Sequence, residues 1–164
     1  MNNEIHLFDP VHACLSEWIC VNDGVMGGLS TSRVEVNPEH YLHWAGTVSM
    51  ENNGGFASVK HKLPTHNLSA CRGISLLTKG DGKLYKLNLA NDPDSGSPRF
   101  QARFTAHSSM QLIFIPFGEL TASFRGKRVD ATFDPSYLRQ IGFLIADRQE
   151  GDFDLNIIRI SAYA

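Results

Sequence analysis

Tyr85-Lys86-Leu87-Asn88-Leu89 alternates apolar and polar side chains with a period of two, the spacing of a β-strand whose successive side chains point to opposite faces of a sheet. The same rhythm returns in Phe100, Ala102 and Phe104 around Gln101 and Arg103, and in Phe153, Leu155 and Ile157 around Asp154 and Asn156. Each run predicts a strand with one buried and one wetter face. Working outward, further strands are expected at 18–21, 32–36, 41–50, 57–62, 73–79, 110–115 and 140–146. Within the last two, Leu112-Ile113-Phe114-Ile115 and Ile141-Gly142-Phe143-Leu144-Ile145 are apolar at nearly every position, which predicts strands buried on both sides.

Turn signals divide these runs at short intervals: Asn37-Pro38, Lys79-Gly80-Asp81-Gly82, the stretch from Asp92 to Pro98, and Gln149-Glu150-Gly151-Asp152. About ten short strands so punctuated predict an all-β, mostly antiparallel sandwich or barrel. Helix is expected only as one or two short turns at 116–120 and 135–139, each opened by a proline. Neither an internal repeat nor a composition shift divides the chain, so residues 1–164 read as a single domain.

The 164 residues are 42% hydrophobic, with a formal net charge of −2 and a pI near 6.4. That balance gives no electrostatic case for nucleic acid, whose phosphates need clustered Lys and Arg. One local basic run, Arg125-Gly126-Lys127-Arg128, reads as a solvated turn, with a partner-binding patch as the alternative. Cys14, Cys20 and Cys71 are odd in number and match no zinc or redox spacing, which favours a reducing compartment, the cytoplasm. The first residues lack a basic segment followed by an apolar stretch, and no run approaches the roughly 18 apolar residues of a membrane span.

Two glycine doublets sit in near-matching polar frames. The first is Asn22-Asp23-Gly24-Val25-Met26-Gly27-Gly28-Leu29-Ser30, and the second is Glu51-Asn52-Asn53-Gly54-Gly55-Phe56-Ala57-Ser58. Glycine beside Asn or Asp admits positive φ and lets another segment approach closely, so both loops are expected to determine shape. Neither reads as a phosphate cradle, because strand-like sequence follows each doublet where a helix would be required.

In order along the chain stand Trp18, the first doublet, Gly46-Thr47-Val48-Ser49, the second doublet and Gly80-Asp81-Gly82-Lys83-Leu84-Tyr85. Ile115-Pro116-Phe117, Phe124-Arg125-Gly126, Ile141 to Ile145 and Gly151-Asp152-Phe153-Asp154-Leu155 follow. This series resembles the complex I intermediate-associated protein 30 family over nearly the whole chain. The resemblance implies a galactose-binding-like jelly-roll β-sandwich. It also implies a non-catalytic module, an assembly factor or chaperone-like protein whose partner is a protein, as in respiratory complex I assembly. Among its members the chain resembles the stand-alone bacterial ones.

The residues themselves support a binding loop better than a reaction. Asp23 beside Gly24 can accept backbone N–H groups across a turn, and Asn52 and Asn53 can do the same before Gly54 and Gly55. Asn22, Gly24, Gly27, Gly28, Asn52, Gly54 and Gly55 are therefore expected to shape the loops. Asp23, Asn53, Arg125, Lys127 and Arg128 are the candidates for contact with a ligand or partner. No second acid, base or nucleophile stands at an identifiable offset from Asp23, so no catalytic residue, cofactor or enzyme activity is expected. The closest histidine pairs, His40 with His43 and His61 with His66, fall at odd offsets that put the partners on opposite faces of a strand, which argues against a metal site. Asp92 and Asp94 could offer oxygen ligands to calcium, but the proline between them favours a turn. Trp18, Trp44, Tyr85 and Tyr137 raise carbohydrate binding as the alternative function, although aromatics within period-two apolar runs more often belong to a core.

Overall fold

The computed structural model describes residues 4–8, 18–92 and 96–164. Thirteen strands form among them: β1 (Ile5–Phe8), β2 (Trp18–Asn22), β3 (Thr31–Val36), β4 (Leu42–Val48), β5 (Ala57–His66), β6 (Gly73–Gly80) and β7 (Leu84–Ala90). There follow β8 (Arg99–Thr105), β9 (Gln111–Pro116), β10 (Thr121–Phe124), β11 (Lys127–Arg128), β12 (Leu138–Ile145) and β13 (Gly151–Tyr163). One sheet runs β3-β4-β13-β6-β9, with β1 also paired to β13; the other runs β11-β10-β8-β7-β12-β5-β2. Every pairing is antiparallel.

The two sheets bury their alternating apolar faces against each other, and the period-two reading accounts for which residues meet. Tyr85, Leu87 and Leu89 of β7, Phe100 and Phe104 of β8, and Phe153, Leu155 and Ile157 of β13 all lie in the core. Trp44 of β4 packs edge-on against Phe153 at 4.8 Å and Tyr85 at 6.1 Å between ring centroids, geometries that aromatic quadrupoles favour. Strand β12 lies between β5 and β7 and turns Ile141, Phe143 and Ile145 into the core, while Leu144 on its other face is half-buried. At Gly142 a Cβ would stand 2.5 Å from the Val59 carbonyl oxygen, so glycine permits the close approach of β12 to β5.

Two expectations fail. The run from Leu112 to Ile115 is not buried on both sides: among the described residues β9 is an edge strand paired only to β6, and Leu112 and Phe114 are exposed. Its apolar composition resembles that of β12, but sheet order, which no local pattern encodes, puts one at the centre and the other at the rim. The expected helix at 135–139 is a turn that leads straight into β12. Proline fixes φ there without enough following residues to nucleate a helix. Single 3₁₀ turns occur at Asp23–Met26, Glu51–Asn53 and Phe117–Glu119. Among the described residues no helix is long and apolar enough to cross a membrane.

Candidate functional site

The two glycine loops meet on one carboxylate. Asp23 follows β2 directly, begins a 3₁₀ turn, and is 0% exposed. Its Oδ1 accepts the Ser30 N–H at 2.9 Å. Its Oδ2 accepts the Ser30 hydroxyl at 2.5 Å, the Gly55 N–H at 2.7 Å and the Phe56 N–H at 3.3 Å. Burial alone would raise the Asp23 pKa, but the hydrogen bonds from the Ser30 hydroxyl and the three backbone N–H groups outweigh it and hold the carboxyl below its ordinary value. Ser30 is the partner that sequence reasoning missed; a hydroxyl two residues after the doublet was its one available signal.

The glycines make this latch sterically possible. A Cβ on Gly28 would stand 2.4 Å from Asp23 Cγ, and one on Gly54 2.5 Å from Asp23 Oδ2. Gly27 and Gly55 have φ of 88° and 127°, backbone states that side-chain-bearing residues rarely enter. Gly24 meets no such crowding. Asn22 accepts the Ser32 hydroxyl at 2.7 Å, and exposed Asn52 takes a left-handed φ of 54°. The side chain of Asn53 lies outside the described residues.

The basic run forms the tip of the β10–β11 hairpin. Arg125 and Gly126 both have positive φ, 51° and 79°, as a two-residue type I′ turn requires. Arg125, Lys127 and Arg128 are exposed, and the Arg125 guanidinium lies over the Phe124 ring at 5.1 Å. Arg125 also borders a groove of 390 Å³ with Phe56, Lys86, Arg99, Gln101 and Leu144. The structure thus brings Arg125 and Phe56, which Asp23 anchors, to one groove, while Lys127 and Arg128 are not part of its lining.

The remaining candidates separate cleanly. Trp18, Trp44 and Tyr85 are core side chains, leaving Tyr137 as the one exposed aromatic of the four. His61 is buried and stacks on Trp18 at 5.1 Å. His43 lies between Glu35 at 3.2 Å and Asp154 at 3.0 Å. Among the described residues no group of three or more His, Cys, Asp or Glu could hold a metal ion. Asp94 lies outside the described residues.

A surface that sequence reasoning placed in the core is the most exposed apolar feature here. Met110, Leu112 and Phe114 are 45%, 48% and 55% exposed, spaced to lie on one face of β9 and its lead-in. Phe114 meets Tyr163 edge-on at 5.1 Å, and no charged residue occurs from Met110 to Pro116.

The sequence profile of complex I intermediate-associated protein 30 matches residues 8–157. The chain belongs to that family. Solved structures supply the fold likeness. A family 11 carbohydrate-binding module from Clostridium thermocellum, solved with a β-1,3-1,4-mixed-linked tetrasaccharide, superposes with a TM-score of 0.73 at 19% identity, covering 98% of this chain and 95% of that one. A family 30 carbohydrate-binding module of a Clostridium thermocellum cellulosomal cellulase gives 0.63 at 15% identity, covering 98% and 97%. An agarase gives 0.66 at 12% identity over 98% of this chain and 24% of its own. This member of the family therefore has a galactose-binding-like jelly-roll sandwich, as its motif order implied.

Proposed function

We propose that the chain is a non-catalytic, cytoplasmic binding module that holds a protein partner, an assembly intermediate of the kind the family is described by. The observation that carries this reading is β9. Sheet edges are ordinarily protected by charge, proline or shortness; the opposite edge of the same sheet, β3, carries Arg33 and Glu35, whereas β9 has a proline only at its last residue, Pro116, and no charge. β9 instead presents an uncharged, apolar face beside an open row of backbone donors and acceptors, the surface to which a partner protein adds by strand pairing and apolar burial.

Affinity capture from the native host tests this, comparing the parent with the Leu112→Asp/Phe114→Asp variant. A defined set of polypeptides retained by the parent and lost by a variant of unchanged melting temperature supports the reading. Equal capture by both removes it. The carbohydrate reading has the fold likeness in its favour, but three of the four aromatics that suggested it are in the core. Calorimetric titration with the mixed-linked tetrasaccharide separates the two: saturable binding unaffected by the β9 substitutions favours carbohydrate.

A further inference from the structure

The net charge of −2 conceals a cationic face. On the seven-stranded sheet the registers set Lys60 opposite Gly142, Gly142 opposite Asn88, and Asn88 opposite Gln101. The neighbouring row is Ser58, Leu144, Lys86 and Arg103, and Lys62 stands opposite Gln140. The intervening Val59, Phe143, Leu87 and Ala102 are buried, so alternation points both rows away from the core. Lys60, Lys62, Lys86 and Arg103 thus share one outer face, which Arg99 and Arg125 extend along the groove.

Among the described residues the ion pairs on these four cations reach a single carboxylate. Asp147 lies 3.6 Å from Lys86 Nζ and 3.4 Å from Arg103 Nε. Burial, followed by the positive charges of Arg99 and Lys62, pushes the Lys60 pKa down, a strain that an incoming anion would relieve. Two acceptors add to this. Asn88 Oδ1 and Gln140 Oε1 are buried without a hydrogen-bond partner among the described residues, and Gln140 as a whole is 4% exposed. Unmet acceptors of this kind carry a free-energy cost that a donor removes.

A ligand for this face must therefore bring anions and hydrogen-bond donors together. The four central strands β5, β12, β7 and β8 project no Phe, Tyr or Trp outward, which leaves no platform for stacking a sugar ring or a base. From β5 to β8 the face spans three strand spacings, about 14 Å, a length suited to an extended peptide. Phe56, Leu144 and Ala146 at the groove end offer apolar contact beside the charges.

We propose that this outer face binds an acidic, extended segment of the partner protein, with its carboxylates on Lys60, Lys86 and Arg103 and its backbone N–H groups on Asn88 and Gln140. The proposal rests on the protein-partner reading and assigns that partner its chemistry.

The test is fluorescence anisotropy with a fluorescein-labelled Glu-rich peptide, against Gln-rich and Lys-rich peptides of equal length. The parent should bind the Glu-rich peptide saturably and with strong salt dependence, and should bind neither control. Lys60→Met keeps an unbranched side chain opposite Gly142 and removes the charge; combined with Lys86→Gln it should weaken binding about tenfold or more at an unchanged melting temperature. Competition arms use inorganic phosphate, a sulfated oligosaccharide and the mixed-linked tetrasaccharide. No peptide binding, binding indifferent to the two substitutions, or tighter binding of either oligosaccharide than of the peptide would overturn the proposal. Absent peptide binding beside β9-dependent capture overturns this inference alone. Absent β9-dependent capture removes the protein-partner reading and this inference with it.

Discussion

Replacing Asp23 by alanine should be among the most damaging single changes in the molecule. The substitution removes the acceptor for three backbone N–H groups, those of Ser30, Gly55 and Phe56, and for the Ser30 hydroxyl. A buried donor left unsatisfied costs about 1–3 kcal/mol. Gly55 and Phe56 are half-buried and can recover water, so the low end applies to each, and the buried Ser30 N–H counted at the same low end brings the total to at least about 3 kcal/mol. For a chain of this length about 2–4 °C accompanies each kcal/mol, so the melting temperature should fall by about 6–12 °C. Asp23→Asn keeps volume and one oxygen but turns an amide N–H₂ towards a donor, and should cost about 1–3 kcal/mol. The folded-state pKa of Asp23 lies below its ordinary value, so its contribution is fully present above the unfolded carboxyl pKa of about 3.9 and is lost as pH falls through the depressed folded value. Thermal unfolding followed by circular dichroism should show a wide parent-to-variant gap at neutral pH that narrows below about pH 4. An Asp23→Ala protein melting within about 1 °C of the parent at neutral pH would refute the latch, since even one lost buried hydrogen bond exceeds that.

Three further outcomes follow from the same geometry. Gly28→Ala and Gly55→Ala should each cost about 1 kcal/mol or more, through contact with Asp23 and through a φ of 127° respectively, whereas Gly24→Ala, with open space around it, should melt with the parent; equal effects at all three positions would contradict the steric account. The Cys71 thiol is 8% exposed and burial pushes its pKa up, so a thiol reagent at mildly alkaline pH should reach it only on unfolding; rapid labelling of the native protein at Cys71 would contradict its placement. Gly142→Ala should destabilise through the 2.5 Å approach to the Val59 carbonyl, and a parent-like urea midpoint would show that β5 and β12 can separate without loss.

The fold was legible because burial on one side of a strand writes a period of two into the sequence, as Tyr85 to Leu89 and Phe153 to Ile157 do. Family membership was legible in the ordered glycine motifs. What sequence could not reveal is whatever depends on neighbours in space. Leu112-Ile113-Phe114-Ile115 and Ile141 to Ile145 look alike, and only the sheet order β6-β9 against β7-β12-β5 separates a rim from a centre. The cationic face is dispersed over Lys60 and Lys62 of β5, Lys86 of β7 and Arg103 of β8, three strands that only the sheet order brings together. Lys127 and Arg128, which do form a run, lie outside the groove that Arg125 borders. Ser30 stands at the end of the first doublet's frame, but nothing in that frame says that its hydroxyl turns back onto Asp23.

The most direct test of protein binding through β9 is site-specific photo-crosslinking in the native host, with the photoreactive residue at position 112 or 114 and, as control, at position 35 on the opposite edge of the same sheet. The account predicts adducts from 112 and 114 to the same polypeptide and none from 35. Adducts of equal yield from all three positions, or from 35 alone, would contradict it.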